Sequence, residues 1–316
     1  MLRETLLGNL KMSLKGLSLE EFAAEFITRT QAIEEFYKLC NGANTGKTIS
    51  LLFNPHRLST DTEKDDLSVY ESLQVDDKLN GLARLYLYNL EHGVNNAFYS
   101  AIQRGYQNIQ YVNEFPPFVA RSIVLRYTQK KDSISVLDPC AGWGGRMIGC
   151  ASIPNVTYTA CEPSTETYDG LCKLSEWLIS LQTSFNSDLY CEPYEDFFTD
   201  KEFDIALTSP PYFNTEHYSD ESTNSMNRYG EFSVWVDGFY EPLIVNTVAR
   251  LKEGAVFILN IGDRQYPLSD TLFNICNKYG FVCERIEDYL SGNGPNKEKF
   301  YCISRNKVIK KPRKLF

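Results

Sequence analysis

The chain has 316 residues, of which 43% are hydrophobic and 23% charged, with a formal net charge of -9. That apolar fraction builds a sizeable core and excludes a disordered chain, and the length suits one large domain or two modest ones. The negative balance excludes a protein that coats nucleic acid through bulk charge, while leaving room for a local basic cleft.

The nine cysteines are scattered without a C-x-x-C pair, beside only three histidines. No metal site is expected from such spacing. Several cysteines fall in apolar runs, as small core residues in a reducing cell interior do. No apolar run approaches membrane-spanning length, so a soluble, cytoplasmic protein without a membrane partner is expected.

Residues 1–105 read as a helical N-terminal region. Ser18 is placed to cap a helix with Glu20 and Glu21 in its first turn, and Phe22, Phe26 and Ile27 fall on one face. A second helical pattern runs from about Lys78 to Gly105, with Gly93 or Asn95-Asn96 as the expected break. Between them, Gly42 to Thr48 has the look of a phosphate loop, but three residues separate its glycines where that loop needs four. The plain reading is a turn. Residues 57–66 are polar and acidic and read as an exposed loop.

From about Ile109 strands and helices alternate, giving a second region over 106–316. Strands are expected at Ile134–Pro139, Val156–Glu162, Leu189–Glu192, Phe203–Thr208, Ala255–Asp263, Phe281–Ile286 and Phe300–Ser304. Helices are expected after Ser164 or Thr165, from about Val234 to Leu251, and from Asp270 to Tyr279. Strands separated by helices imply a mainly parallel α/β sheet. The last two strands have no helix between them and are expected to pair antiparallel.

Two stretches carry chemistry. Cys140-Ala141-Gly142-Trp143-Gly144-Gly145 is a glycine-rich turn from a strand into a helix, and Glu162 ends the next strand. Glycines let backbone approach a ligand, the helix start offers free N–H groups, and a strand-end carboxylate can accept both ribose hydroxyl hydrogens. The pair indicates a nucleoside-containing cofactor. The second stretch is Ser209-Pro210-Pro211-Tyr212, directly after an apolar strand. The prolines cannot extend the ladder, so the chain must turn there. A hydroxyl, a free carbonyl and an aromatic face at a strand's carboxyl end suit a flipped nucleobase, whose amino hydrogens need acceptors and whose ring needs a stacking surface.

Together these residues resemble the S-adenosylmethionine-dependent DNA amino-methyltransferases, which modify cytosine N4 or adenine N6. The resemblance covers about residues 109–306. Asp138 to Gly145 is similar to the family's D-P-x-x-G-x-G cofactor motif, Ser209 to Tyr212 to its [DNS]-P-P-[YFW] motif, and Glu114 to Arg121 to its methionine-side turn and helix. It implies a Rossmann-like methyltransferase fold with a mainly parallel seven-stranded sheet and an antiparallel last strand. It implies that Phe115, Pro116, Asp138, Pro139, Ala141, Gly142, Gly144 and Gly145 surround the methionine part of S-adenosylmethionine. It implies that Glu162 holds the ribose and that Glu195 or Asp196 reaches the adenine amino group. The implied catalytic residues are Ser209, Pro210, Pro211 and Tyr212, and the implied partner is DNA with a flipped target base. The serine leans toward cytosine N4. Trp143 is bulky where the family often has a small residue, and Cys140 follows a proline on the cofactor turn, where a packing role is expected.

The loop from Phe213 to Tyr229 is long enough to close over cofactor and base. Arg264 and the basic tail from Arg305 to Lys314 are candidate phosphate contacts. RNA or protein substrates, or a catalytically silent binding subunit, are the alternative readings.

Overall fold

The computed structural model describes residues 2–62, 67–94, 97–105, 112, 114–129, 131–214, 216–263, 265–286 and 299–305. The expected change near Ile109 from a helical to an alternating pattern, Arg264 and the tail beyond Arg305 lie outside them.

The N-terminal part begins with α1 (Leu2–Lys15), α2 (Leu19–Ala24) and α3 (Arg29–Cys40). Ser18 starts α2 as its sequence indicated. Its hydroxyl accepts from the Glu21 N–H at 3.2 Å and the Glu21 carboxylate accepts from the Ser18 N–H at 2.8 Å, and Thr28 and Gln31 repeat this reciprocal cap at α3. Gly42 and Gly46 hold positive φ of 89° and 95°, so the phosphate-loop look-alike is a turn after α3. The Gly46 N–H donates to Glu35 at 3.0 Å, which puts a carboxylate of the chain itself on the turn's amide. Two short 3-10 turns (Ile49–Leu52, Pro55–Ser59) and strand β1 (Asp61–Thr62) lead to α4 (Asp76–Glu91) and α5 (Ala97–Gly105). The break between α4 and α5 includes Gly93 at φ 63°.

The remaining elements alternate. In order they are α6 (Pro117–Tyr127), β2 (Ile134–Asp138), α7 (Gly145–Ala151), β3 (Val156–Cys161), α8 (Thr165–Leu181), β4 (Asn186–Tyr190) and β5 (Phe203–Thr208). Then come β6 (Glu216–His217), α9 (Ser225–Tyr229), α10 (Phe232–Trp235), a π-helical turn (Val236–Tyr240) and α11 (Glu241–Ala249). The chain closes with β7 (Leu251–Ile261), α12 (Leu268–Tyr279), β8 (Val282–Ile286) and β9 (Lys299–Ser304).

The seven-stranded sheet has the order β4-β3-β2-β5-β7-β9-β8. Its first five strands are parallel, and β9 runs antiparallel to both β7 and β8. This is the expected Rossmann-like arrangement with its antiparallel last strand. Side chains alternate between two cores. Val256 and Ile258 of β7 join Val136 of β2 on one face, while Phe257, Leu259 and Ile261 join Leu137 on the other. The first core also takes Ile27, Ala32, Phe36, Leu39 and Ile49 of the N-terminal part, and a third core lies wholly within residues 14–102. No described helix is long and apolar enough to cross a membrane.

Several details differ from the sequence reading. The third predicted strand begins at Asn186 and ends at Tyr190, because β4 is an edge strand whose Asn186, Ser187 and Asp188 need no apolar environment. The predicted helix ending at Leu251 stops at Ala249, since Leu251 already pairs with Phe203 in the sheet. Arg57 and Leu58, expected in an exposed loop, are 1% and 0% exposed, because Arg57 is drawn into an ion pair described below.

Candidate active site

Strands β2 and β5 are parallel neighbours, with Leu137 opposite Ala206, so Cys140, two residues past Asp138, leaves the sheet beside Ser209. Ligands bind at this carboxyl edge in open α/β sheets. The glycine turn and the Ser209–Tyr212 turn therefore share one crevice.

Asp138 ties them together. It is fully buried, and its Oδ1 accepts from Thr208 Oγ1 at 2.6 Å, on the strand that delivers Ser209. Its Oδ2 accepts from Arg146 Nε at 2.7 Å and from the Tyr158 hydroxyl at 2.5 Å. Cys140 N donates to both Asp138 Oδ1 and Thr208 Oγ1, at 3.3 and 3.2 Å. Burial, with the Asp138 charge next, pushes the Tyr158 hydroxyl well above its usual pKa and keeps it a donor. The resemblance put Asp138 against the methionine part; its carboxylate lies beneath the turn, held on both oxygens. Arg146 also donates to the Cys140 carbonyl, which pins the turn from below.

The turn itself is tight. Pro139, Ala141, Gly144 and Gly145 are buried, while Cys140 and Gly142 are half-buried. Gly142 has φ 54°, and its N–H donates to Glu162 Oε2 at 3.0 Å. The second Glu162 oxygen accepts from Ser164 N at 3.0 Å. Burial lifts the Glu162 carboxyl from 4.5 to about 7, against these two backbone bonds. Gly145 begins α7, where a Cβ would meet the Phe115 carbonyl at 2.2 Å. Pro116 and Pro117 open α6 alongside, and Arg146 lies 5.2 Å over the Phe115 ring. Burial, with Asp138 next, raises the Cys140 thiol well above its usual pKa, which suits packing and not attack.

Sequence reasoning missed the contribution of residues 50–57. Glu114 accepts from Gly145 N at 3.2 Å and from Phe115 N at 3.0 Å. Its other oxygen pairs with Arg57 at 2.6 Å, and both side chains are at most 5% exposed. Asn54 donates to the Trp143 carbonyl at 3.2 Å, and His56 sits edge-on to the Trp143 ring at 5.0 Å. Gly170 of α8 admits this segment, since a Cβ there would meet Asn54 Oδ1 at 2.0 Å. A lone arginine in a polar stretch has no periodicity to reveal it. Glu114 was at least visible inside the methionine-side motif.

Ser209, Pro211 and Tyr212 are half-buried and Pro210 is buried. Phe213 follows at φ 60°, a conformation costly for an aromatic residue, and is held by Tyr266 at 5.1 Å, Trp235 at 5.7 Å and Phe232 at 5.8 Å. The segment 216–229 then crosses the crevice as a strap. Its strand β6 pairs with β1, with His217 opposite Asp61. Tyr218 lies 6.0 Å from Trp143, Glu221 accepts from Thr165 N at 2.9 Å, and Thr223 donates to the Pro163 carbonyl at 3.0 Å. Arg228 and Tyr229 end on Glu195, whose Oε1 accepts from them at 3.0 and 2.9 Å.

Glu195 and Asp196 now separate. The Glu195 side chain is 6% exposed and its Oε2 is buried without a hydrogen-bond partner among the described residues, whereas Asp196 is 53% exposed with both oxygens on Arg228. Among the described residues no three His, Cys, Asp or Glu side chains are grouped to hold a metal ion.

No protein-family model matches the chain, and neither does any curated protein sequence. Solved structures resemble it in fold. A protein assigned to the class I S-adenosylmethionine-dependent methyltransferases from Listeria monocytogenes is 13% identical at a TM-score of 0.47, over 90% of this chain and 91% of that one. An rRNA methylase from Streptococcus thermophilus is 13% identical at 0.39, over 60% and 92%. The glycopeptide N-methyltransferase MtfA in complex with sinefungin is 14% identical at 0.42, over 60% and 85%. At such values the chemistry of this site rests on its own residues.

Proposed function

We propose that the chain is an S-adenosylmethionine-dependent methyltransferase acting on the exocyclic amino nitrogen of a base flipped out of DNA, cytosine N4 or adenine N6. The observation that carries this reading is the Asp138–Thr208 bond of 2.6 Å, which fixes the glycine turn beside Ser209 to Tyr212. The DNA substrate rests on the resemblance of the two motifs.

The residues present suit the cofactor. Gly142 offers backbone with no side chain in the way, Glu162 stands ready for ribose hydroxyls, and Glu195 Oε2 is a buried acceptor awaiting a donor. An unsatisfied buried acceptor is costly, and an adenine amino group would relieve it. Glu195 is therefore favoured over Asp196 for that contact. When bound, S-adenosylmethionine supplies a methyl group on a positively charged sulfur.

The chain's own groups orient the acceptor. The Ser209 hydroxyl and the Pro210 carbonyl accept the amino hydrogens of the target base, and Tyr212 supports its ring. Holding both hydrogens turns the nitrogen lone pair toward the methyl group. Serine is a poor base, so the proton leaves to water after transfer. No covalent nucleophile takes part.

The test is to incubate the protein with labelled S-adenosylmethionine and DNA, digest to nucleosides and identify the product. Labelled N4-methylcytosine or N6-methyladenine is expected. Label in RNA or protein and none in DNA would overturn the substrate assignment.

A further inference from the structure

The strap contacts the cofactor side of the crevice at a carboxylate that has one oxygen left over. Glu195 Oε1 is taken by Arg228 Nη1 at 3.0 Å and by the Tyr229 hydroxyl at 2.9 Å, while Oε2 is buried and has no hydrogen-bond partner among the described residues. With two donors on one oxygen, the carboxylate cannot swing without breaking both bonds.

The donors are themselves fixed. The Tyr229 ring lies against Gly238 of the π-helical turn, where a Cβ would meet the Tyr229 ring at 2.3 Å. A π-turn inside a helix often marks a functional position, and here it presents the one residue without a side chain to the ring. Gly230, at φ 58°, turns the chain out of α9 directly after Tyr229. The Arg228 guanidinium lies 5.5 Å over the Tyr229 ring and reaches Asp196 at 2.8 Å. The strap's other holds, Glu221 on Thr165 and Thr223 on Pro163, fall on the residues just after Glu162.

We propose that Arg228 and Tyr229 are positioning residues that aim Glu195 Oε2 at the adenine amino group of the cofactor, so that the strap and the nucleoside site close as one unit. The inference rests on the cofactor reading above. It predicts discrimination at one atom pair: an amino group donates to Oε2, whereas a carbonyl oxygen in its place meets a second acceptor and is repelled.

The experiment is calorimetric binding of S-adenosylhomocysteine and S-inosylhomocysteine, which carry a 6-amino and a 6-oxo group respectively, the second with a proton on the adjoining N1. The wild-type protein is expected to prefer the adenosine compound by about tenfold or more, the usual range for a hydrogen bond to a charged group. Tyr229→Phe keeps the ring against Gly238 and removes only the hydroxyl. Its preference is expected to drop by several-fold, mainly through weaker binding of the adenosine compound. A purely structural tyrosine would shift both affinities together and leave their ratio unchanged. Arg228→Gln gives the same readout should Tyr229→Phe melt early. A wild-type protein that binds both compounds equally, or variants that keep the full ratio, would overturn this inference and leave the cofactor reading standing. A wild-type protein that binds neither would overturn both.

Discussion

The turns after β2 and β5 start one strand apart, yet they are held by opposite means. The β2 turn is fastened by charge and hydrogen bonds: Asp138, Arg146, Tyr158, Glu114 and Glu162 all contact it or lie beneath it with their bonds made. The β5 turn is fastened by aromatic packing of Phe213 against Phe232, Trp235 and Tyr266, with Phe232 and Tyr266 stacked at 4.6 Å. Around it, Asn214 Oδ1 is buried without a hydrogen-bond partner among the described residues, as Asn54 Oδ1 is beside the β2 turn. One turn is held mainly by polar bonds, the other mainly by ring packing. A binding turn and a reacting turn would divide their duties in this way, and mutations can separate them.

The largest effect is expected at Tyr212. Tyr212→Ala should abolish methylation while leaving S-adenosylhomocysteine affinity largely intact, because the residue belongs to the β5 turn alone. Full activity in that variant would defeat its stacking role, and a parallel loss of cofactor affinity would merge the two turns into one unit. Next comes Asp138→Ala, at the bond that joins them. Removing this carboxylate leaves the buried Arg146 uncompensated, a change that typically costs about 3–5 kcal/mol. Urea unfolding should show that loss together with weakened cofactor binding. Near-wild-type stability would mean that Arg146 finds another partner and that Asp138 is no hub.

A smaller effect is expected at Gly149, on the face of α7 that meets α6. A Cβ there would meet the Pro117 carbonyl at 2.4 Å and Ala120 Cβ at 2.7 Å. Gly149→Ala should cost about 1–3 kcal/mol by overpacking. It should also tilt α7 and weaken cofactor binding through the β2 turn. Methylation at saturating cofactor is expected to survive, because the β5 turn is not touched.

The sheet was legible because its strands are short apolar runs bounded by turn residues, as at Phe203–Thr208 before Ser209. Ser18, Gly93 and the motif at 138–145 likewise announce themselves through local chemistry. What was not legible depends on distant partners. Arg57 looks like loop surface until Glu114 is seen to take it into the core across 57 positions of sequence. The choice between Glu195 and Asp196 is invisible in the string Tyr194-Glu195-Asp196, since only the strap's return path decides which carboxylate is buried. The π-turn left no sequence sign apart from Gly238, whose reason is the Tyr229 ring.

The subtlest effect concerns pH, and it distinguishes the β2 turn at rest from the same turn with its ligand. Burial lifts Glu162 from 4.5 to about 7, while its backbone donors Ser164 and Gly142 pull the other way. The neighbouring charges are Asp138, which raises it, and Arg146, which lowers it. A carboxyl raised on folding stabilises the fold fully below its unfolded value of 4.5, and that contribution is lost as pH rises through about 7. Ribose hydroxyls donate to the ionised form, so they act in the opposite direction: cofactor binding releases a proton, and affinity climbs with pH until it levels off above about 7. Glu162→Gln has no proton to exchange. Its stability should be less dependent on pH across this window, and its weaker affinity for S-adenosylhomocysteine should be flat. Wild-type affinity that stays level or falls as pH rises through the same window would remove the ribose assignment, whatever the reaction proves to be.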